Sequence, residues 1–246
     1  MIKKILLYLL FFTMMPVAAT EYNQLAVKAE RFYHYGEWPS AIAMYQLMLQ
    51  QDSRVPSTYC HAIVASARMG QPEQEMYYLR RSMDAGIPLD SIYDGVQVLS
   101  FRDGSAHLYE NFLKEAGKSY PWLHRNIDAR LLDYYCWRND ATGMINYAEI
   151  MLAETPNNVK FLTALADGCF MKNMFTKGIN TYLTILSLQP DNYHALLVLG
   201  NYYYDRGLKD RSDKEAPILA AQYLNKAFTL HPTPYLKTRL DSLHRQ

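Results

Sequence analysis

Apolar side chains recur along most of the chain at intervals of three and four residues, the spacing that places them on one face of an α-helix. Over residues 22–55, two such stripes are separated by Gly36. The stripe residues are Leu25, Ala29 and Phe32, followed by Ala41, Tyr45 and Met48. Because a glycine between two periodic segments ends a helix, this stretch is predicted to form two helices joined by a turn.

Glycines and prolines that would stop helices recur at a nearly constant interval. Three glycines, in the first half of the chain, are 34 residues apart, and prolines continue the interval at 35, 34 and finally 42 residues. These residues are Gly36, Gly70 and Gly104, then Pro121, Pro156, Pro190 and Pro232. Regular self-similarity of this length is typical of an array of helix-turn-helix repeats.

The interval predicts six repeats and a terminal helix. The repeats are expected to cover residues 22–55, 56–89, 90–123, 125–158, 159–192 and 193–234, with a capping helix over residues 235–246. The sixth repeat contains eight extra residues around Leu208 to Glu215, and their charge predicts a solvated loop. The sequence therefore predicts an all-α chain in which each repeat stacks on its neighbours.

Small residues lie where the two helices of a repeat would cross, and aromatic residues lie beside them. The small residues include Ala166, Gly178, Gly200 and Ala220, and the aromatic ones include Phe32, Tyr182 and Tyr203. With the proline after each second helix, this pattern resembles the tetratricopeptide-repeat family. The resemblance implies a right-handed superhelical solenoid whose leading helices line a concave groove. Glu75, Tyr109 and Met144 replace the small residue in three middle repeats, which leaves a related αα repeat open there.

Residues 1–19 have the features of a cleaved signal peptide. Lys3 and Lys4 precede an apolar run from Ile5 to Met15, and small residues lead to a cleavage site after Ala19. A membrane anchor is the alternative, but the apolar run ends at a proline before reaching the roughly 18 residues that a span needs. With no cysteine near the end of that run to carry a lipid, a periplasmic or secreted protein is expected, with no membrane span after cleavage.

The remaining residues 20–246 form the predicted helical repeat domain, and their composition argues against several functions. Loss of the two signal-peptide lysines would change the formal net charge from +1 to −1, so no basic surface for nucleic acid is expected. No two histidines share a helix face at a spacing of three or four residues, and no catalytic motif occurs. We therefore expect no enzyme activity, no cofactor and no metal. Three cysteines are expected to fill helix interfaces, and a disulfide between Cys136 and Cys169 is left open.

Candidate binding residues are those on the leading helices that face away from the buried stripes. They are Tyr33, Arg68, Phe101, Arg102, Asp133, Trp137, Asp167, Phe170, Asn201, Tyr204 and Asp205. Exposed aromatic side chains are typical of binding sites, and the change from basic to acidic residues along the column could orient a peptide. The alternative is that neighbouring repeats bury several of these aromatic rings and that the charges are arranged by accident.

The resemblance implies a scaffold that binds an extended peptide or protein segment in the concave groove. Two other functions stay open: a structural subunit of an envelope complex, and a glycan-binding module. The clamp with which some family members hold acidic chaperone tails needs a lysine on the leading helix. The corresponding positions hold no basic residue, so that mode is not expected; they are Ala26, Cys60, Asp94, Ala129, Thr163 and Leu197.

Overall fold

The computed structural model describes residues 21–52 and 54–243, and the regular secondary structure within them is helical. The prediction of an all-α chain is confirmed. Helix α1 occupies residues 21–34, and the others are α2 (Trp38–Gln51), α3 (Pro56–Arg68), α4 (Pro72–Asp84), α5 (Leu89–Arg102), α6 (Ala106–Ser119), α7 (His124–Arg138), α8 (Ala141–Glu154), α9 (Val159–Met171), α10 (Phe175–Leu188), α11 (Tyr193–Lys209), α12 (Glu215–Leu230) and α13 (Pro234–Leu243). The predicted signal peptide lies outside the described residues.

The starts of the helices follow from local sequence. A proline in the first turn begins α2, α3 and α4, where its missing N–H costs nothing because that group has no partner within the helix. Asp140, Asn158 and Asn192 cap α8, α9 and α11 by accepting hydrogen bonds from backbone N–H groups of the first turn. None of the described helices is long and apolar enough to cross a membrane.

The turn inside five helix pairs contains one residue with a positive φ angle. Gly36, Gly70 and Gly104 have φ values of 74°, 66° and 67°, and Asn139 and Asn173 continue the series at 52° and 59°. In each turn the next N–H donates to a carbonyl five residues earlier, as from Glu37 to Phe32 at 2.9 Å. Asparagine tolerates this left-handed conformation better than most residues, so the turn recurs where the glycine interval stops.

The sixth pair lacks that turn. Gly207 lies 34 residues after Asn173, but it is helical and α11 continues to Lys209. The predicted loop over Leu208 to Glu215 is therefore too long, because its first two residues belong to α11 and its last begins α12. Extending α11 through the turn position leaves only residues 210–214 between the two helices.

The chain divides into two compact units at Ile127 and Asp128, and each unit is described by itself. In unit 1, α3 packs against α2, α4 and α5, and α6 packs against α4 and α5. The approach of α3 to α5 is close, since a Cβ atom on Gly95 would lie 2.4 Å from Sγ of Cys60. A small residue on one helix thus lets the two leading helices approach each other.

In unit 2, each helix from α8 to α12 packs against the next one along the chain. The crossing positions identified in the sequence are tight: a Cβ atom on Gly178 would lie 2.5 Å from the Phe170 ring, and one on Gly200 would lie 2.6 Å from Leu224. Ala166 and Ala220 are fully buried. The assignment of six repeats with the bounds given above stays a prediction.

Candidate functional site

In unit 1, the predicted exposure of Tyr33 is wrong, since its side chain is only 5% exposed. The ring meets Trp38, Tyr45 and His61 edge-on at centroid distances of 5.2, 6.5 and 5.1 Å. Its hydroxyl donates a hydrogen bond to Oδ2 of Asp103 at 3.2 Å. Burial, with the nearby Asp103 carboxylate, raises the pKa of Tyr33. The buried face of α1 therefore includes Tyr33, and Phe32, which was predicted to lie on that face, is only half-buried.

Asp103, which sequence reasoning missed, contacts both predicted arginines of unit 1. Its carboxylate lies 3.6 Å from Nη2 of Arg68 and 3.4 Å from Nε of Arg102. The Arg68 guanidinium also lies 5.6 Å from the centre of the Trp38 ring. Phe101 is half-buried, with its ring edge-on to Tyr109. One indication of these contacts was present in the sequence: Asp103 directly follows Arg102 and comes 35 residues after Arg68.

In unit 2, the three predicted acidic residues each contact a basic side chain on the next leading helix, or on α13. The contacts are Asp133 with Lys160 at 2.6 Å, Asp167 with His194 at 2.9 Å, and Asp205 with Arg239 at 3.0 Å, and the second is an ion pair when His194 is protonated. These charges are therefore already partly neutralised inside the unit. A role for them in orienting a peptide stays a prediction, and their pairing weakens the argument from charge alone.

Asp167 also accepts a short hydrogen bond from the hydroxyl of Tyr182, so three side chains meet at one carboxylate. Nε2 of His194 lies 3.1 Å from the same hydroxyl. The hydrogen bond to Asp167 raises the pKa of His194, because the carboxylate favours the charged imidazolium. Burial raises the pKa of Tyr182, and its hydrogen bond to Asp167 acts in the same direction.

At the end of unit 2, Asn201 and Tyr204 contact the terminal helix. The Tyr204 ring lies 4.4 Å from the guanidinium carbon of Arg239, and its hydroxyl is 2.6 Å from Oγ of Ser242. Asn201 accepts a hydrogen bond from the hydroxyl of Tyr235 at 3.0 Å. These two predicted binding residues thus help to hold α13, and their part in binding stays a prediction.

Trp137 and Phe170 differ in their surroundings. The Trp137 side chain is 57% exposed, and its ring centre lies 6.1 Å from that of Tyr134. Phe170 is half-buried in an aromatic cluster, with ring centres 5.6 Å from Phe175 and 5.6 Å from Tyr202. Aromatic rings at such distances hold one another in edge-to-face contacts, so Phe170 is a fixed part of this surface.

Two adjoining hollows open on the leading helices of unit 2. Hollow A measures about 470 Å³ and is lined by Cys136, Asn139, Met144, Lys160, Thr163, Ala164, Asp167, Phe170, Met171, His194 and Val198. Hollow B measures about 590 Å³ and is lined by Phe170, Phe175, Val198, Asn201, Tyr202, Asp205, Arg206, Lys209 and Asp210. Phe170 and Val198 line both, so the hollows are neighbours. Four predicted site residues line one or both: Asp167, Phe170, Asn201 and Asp205.

No group of three histidine, cysteine or acidic side chains within residues 21–52 and 54–243 is arranged to hold a metal ion. The three cysteines are free thiols, with Cys60 and Cys169 buried and Cys136 half-buried. Burial raises the pKa of Cys136, and the neighbouring Asp133 carboxylate raises it further. These surroundings keep the thiol protonated, whereas the surroundings of a reactive cysteine lower its pKa.

The architecture identifies the type of fold. The pairs α9–α10 and α11–α12 pack through small residues at their crossings, and a left-handed turn recurs every 34 or 35 residues from Gly36 to Asn173. The fold is that of a tetratricopeptide-repeat protein. No protein-family model matches the chain, and no curated protein matches it in sequence.

Solved structures with a similar fold include three bacterial proteins of low sequence identity. The C-terminal part of a TPR repeat-containing protein from Cytophaga hutchinsonii is 14% identical, with a TM-score of 0.48, over 82% of this chain and 77% of its own. A TPR repeats protein from Bacteroides fragilis is 16% identical, with a TM-score of 0.41, over 91% of this chain and 98% of its own. A putative protein binding protein from Bacteroides ovatus is 17% identical, with a TM-score of 0.43, over 78% of this chain and 97% of its own.

Proposed function

We propose that this chain is a non-enzymatic scaffold that binds an extended segment of a partner protein along the leading helices of unit 2. The observation that carries this proposal is the pair of adjoining hollows A and B, which share Phe170 and Val198. Their walls combine aromatic and aliphatic side chains with polar groups fixed by hydrogen bonds. Rigid aromatic anchors of this kind supply contact area at a small cost in side-chain entropy.

The chemistry of hollow A supports binding over catalysis. Cys136 and His194 both line it and are the side chains most suited to nucleophilic or acid–base work. A cysteine nucleophile needs a lowered thiol pKa, but burial raises the pKa of Cys136. Nε2 of His194 is engaged with Asp167 and Tyr182. Such a site is suited to holding a ligand, and it supplies no activated nucleophile.

The test places a photo-crosslinking amino acid at Met171, which lines hollow A, or at Leu183, which is exposed on α10. Partners joined to the Met171 position are identified by mass spectrometry, and their affinity for the intact chain is then measured. Trp137→Ala combined with Met171→Ala should weaken binding more than about tenfold, because truncating a buried anchor commonly costs about 2 kcal/mol. Since Trp137 is mostly exposed before binding, the variant should fold normally.

A second candidate function, a structural subunit that packs through its trailing helices, is favoured by exposed aliphatic residues on three of these helices. Ile150, Leu183 and Ile218 lie on α8, α10 and α12 and are 47%, 42% and 67% exposed. If Leu183→Ser with Ile218→Ser abolishes partner binding while the Trp137 and Met171 variant retains it, this second function replaces the first.

Glycan binding has less support from the geometry of hollow B. Sugar recognition needs polar groups that can bind hydroxyls beside an aromatic ring. Here Asn201 accepts from Tyr235, Asp205 pairs with Arg239, and Asp210 accepts from Ser212. These side chains are already held by partners within the chain.

We further propose that the protein works outside the cytoplasm, in the periplasm or after secretion. The support is the N-terminal pattern of Lys3 and Lys4 followed by a short apolar run and Ala19. The intact mass of protein recovered from an exporting host should correspond to a chain that begins at Thr20. Retention of residues 1–19 in the recovered protein would contradict both the cleavage and the location.

A further inference from the structure

Hollow B contains an aromatic wall that is only partly covered. The ring of Tyr202 lies 5.6 Å from Phe170 and 5.2 Å from Phe175, measured between centres. Phe175 is 36% exposed, and the neighbouring Met174 is 43% exposed. A volume of about 590 Å³ is ample for one bulky side chain with its adjoining backbone. The wall therefore suits an aromatic or large aliphatic side chain.

The charged rim of hollow B is paired except at one position. Asp205 contacts Arg239 at 3.0 Å, and Arg206 contacts Asp213 at 2.6 Å. The carboxylate of Asp210 accepts two hydrogen bonds from Ser212, from its backbone N–H at 2.9 Å and its hydroxyl at 2.6 Å. These contacts hold the end of α11 and the loop after it in place.

Lys209 is the exception. Within the part of the chain that the structure describes, it is the one charged side chain lining hollow B with neither an ion pair nor a hydrogen bond. It belongs to the last turn of α11, which exists because the helix continues through Gly207, where the other repeats turn. An unpaired ammonium beside an apolar wall favours an anionic group on whatever occupies the hollow.

The two hollows also set the length of a bound segment. Their lining residues follow α11 from His194 to Lys209. At a rise of about 1.5 Å per residue, this stretch of helix is about 23 Å long. An extended chain covers about 3.3 Å per residue, so about seven residues would reach from hollow A to Lys209.

We propose that hollow B selects a partner segment in which a bulky apolar side chain is next to an acidic residue. The apolar side chain rests on Phe170, Phe175 and Tyr202, and the carboxylate pairs with Lys209. This inference rests on the proposed function, because it names the kind of segment that the leading helices bind. Phenylalanine or leucine followed by glutamate or aspartate meets both requirements.

The test uses seven-residue peptides of glycine and serine that carry one central phenylalanine followed by glutamate. Binding to the intact chain is followed by NMR of the methionine methyl groups. The phenylalanine–glutamate peptide should shift the Met174 methyl group in a saturable way. Changing the phenylalanine of the peptide to alanine, or Phe175→Ala in the protein, should weaken binding at least about tenfold. An exposed charge pair contributes less to binding, so Lys209→Gln should lower the affinity for the phenylalanine–glutamate peptide by roughly two- to fivefold.

The decisive comparison is between peptides and between lysines. Lys209→Gln should leave the affinity for a phenylalanine–glutamine peptide unchanged, because that peptide has no carboxylate to lose. Lys172→Gln is the matched control, since Lys172 is exposed in the same unit but does not line hollow B. Equal affinity of both peptides for the native chain overturns the acidic preference. Absence of saturable binding by either peptide overturns the whole inference, and the crosslinking experiment at Met171 then decides the proposed function separately.

Discussion

The close approach of α3 and α5 in unit 1 gives a quantitative test of the fold. A Cβ atom on Gly95 would lie 2.4 Å from Sγ and 3.2 Å from Cβ of Cys60. The sulfur has little room to move, because Cys60 is buried and its thiol lies 3.7 Å from the carbonyl oxygen of Ile92. Gly95→Ala should therefore force the two helices apart.

The expected change in the free energy of unfolding of Gly95→Ala is the sum of two opposing effects. Alanine is favoured over glycine inside a helix by about 1 kcal/mol, which would stabilise the variant. Overpacking of a filled interface costs about 1–3 kcal/mol, so the variant should lose up to about 2 kcal/mol of unfolding free energy. Gly117→Ala on α6 is the matched control, since its Cβ atom would meet Ile127 at an ordinary distance of 3.7 Å. That variant should be as stable as the native chain or slightly more stable.

Cys60→Ala in the same molecule should relieve the clash, because it removes the sulfur that the new methyl group would meet. The double variant should be more stable than the sum of the single changes predicts, by about 1–3 kcal/mol. Urea unfolding followed by circular dichroism measures each midpoint at a common slope. If Gly95→Ala stabilises the chain as Gly117→Ala does, α3 and α5 do not approach each other this closely.

Three further perturbations have defined outcomes. Burial and the Glu115 carboxylate raise the pKa of Glu75 from 4.5 to about 7, so the folded chain holds a proton that the unfolded one releases. The free energy of unfolding should therefore fall as the pH rises from about 4.5 to about 7. Glu75→Gln should abolish this fall and raise the free energy of unfolding at pH 8 by up to about 3 kcal/mol. The raised pKa of His194 gives the same direction of pH dependence: the stabilising contact of the charged imidazolium with Asp167 is fully present below the ordinary pKa of 6.5 and is lost as pH rises through the raised value, so His194→Gln should flatten that dependence. Deleting residues 234–246 should expose Leu196 and Leu224 and cause self-association in light scattering.

Each of these three predictions would be contradicted by a specific result. An unchanged pH profile in Glu75→Gln would mean that this carboxyl group is solvated in the folded chain. An unchanged profile in His194→Gln would mean that the contact with Asp167 does not persist in solution. A truncated chain that stays monomeric and equally stable would mean that α13 does not cover the end of the sixth pair.

The repeat length could be predicted because it depends on residues with strong local preferences. Gly36, Gly70 and Gly104 marked three turns, and all three have the positive φ angle that favours glycine. Asn139 and Asn173 form the same turn but were not recognised, because asparagine is also common in loops and at helix starts. The absence of the turn at Gly207 could not be foreseen either, since its glycine matches the interval and only the eight extra residues indicated a change.

The candidate site was harder to predict, because it depends on contacts between residues about 34 positions apart. Periodicity fixes a face only to within about one residue, or 100° of helix rotation, and that error separates buried Tyr33 from half-buried Phe32. The pairing of Asp133 with Lys160 depends on how adjacent leading helices are offset, which no local pattern records. Phe170 lines both hollows, but its cluster with Phe175 and Tyr202 depends on packing between helices that the sequence pattern does not record.

The ion pairs of unit 2 give its repeats a direction. The leading helix α9 presents Lys160 to the previous leading helix, α7, and Asp167 to the next one, α11. In the same way α11 presents His194 to α9 and Asp205 to α13. A tandem duplicate of residues 159–192 would therefore place the acid of one copy beside the base of the next, and no charge would lose its partner. An inverted order would bring acid against acid. The array can thus grow by head-to-tail duplication while its inter-repeat contacts stay matched.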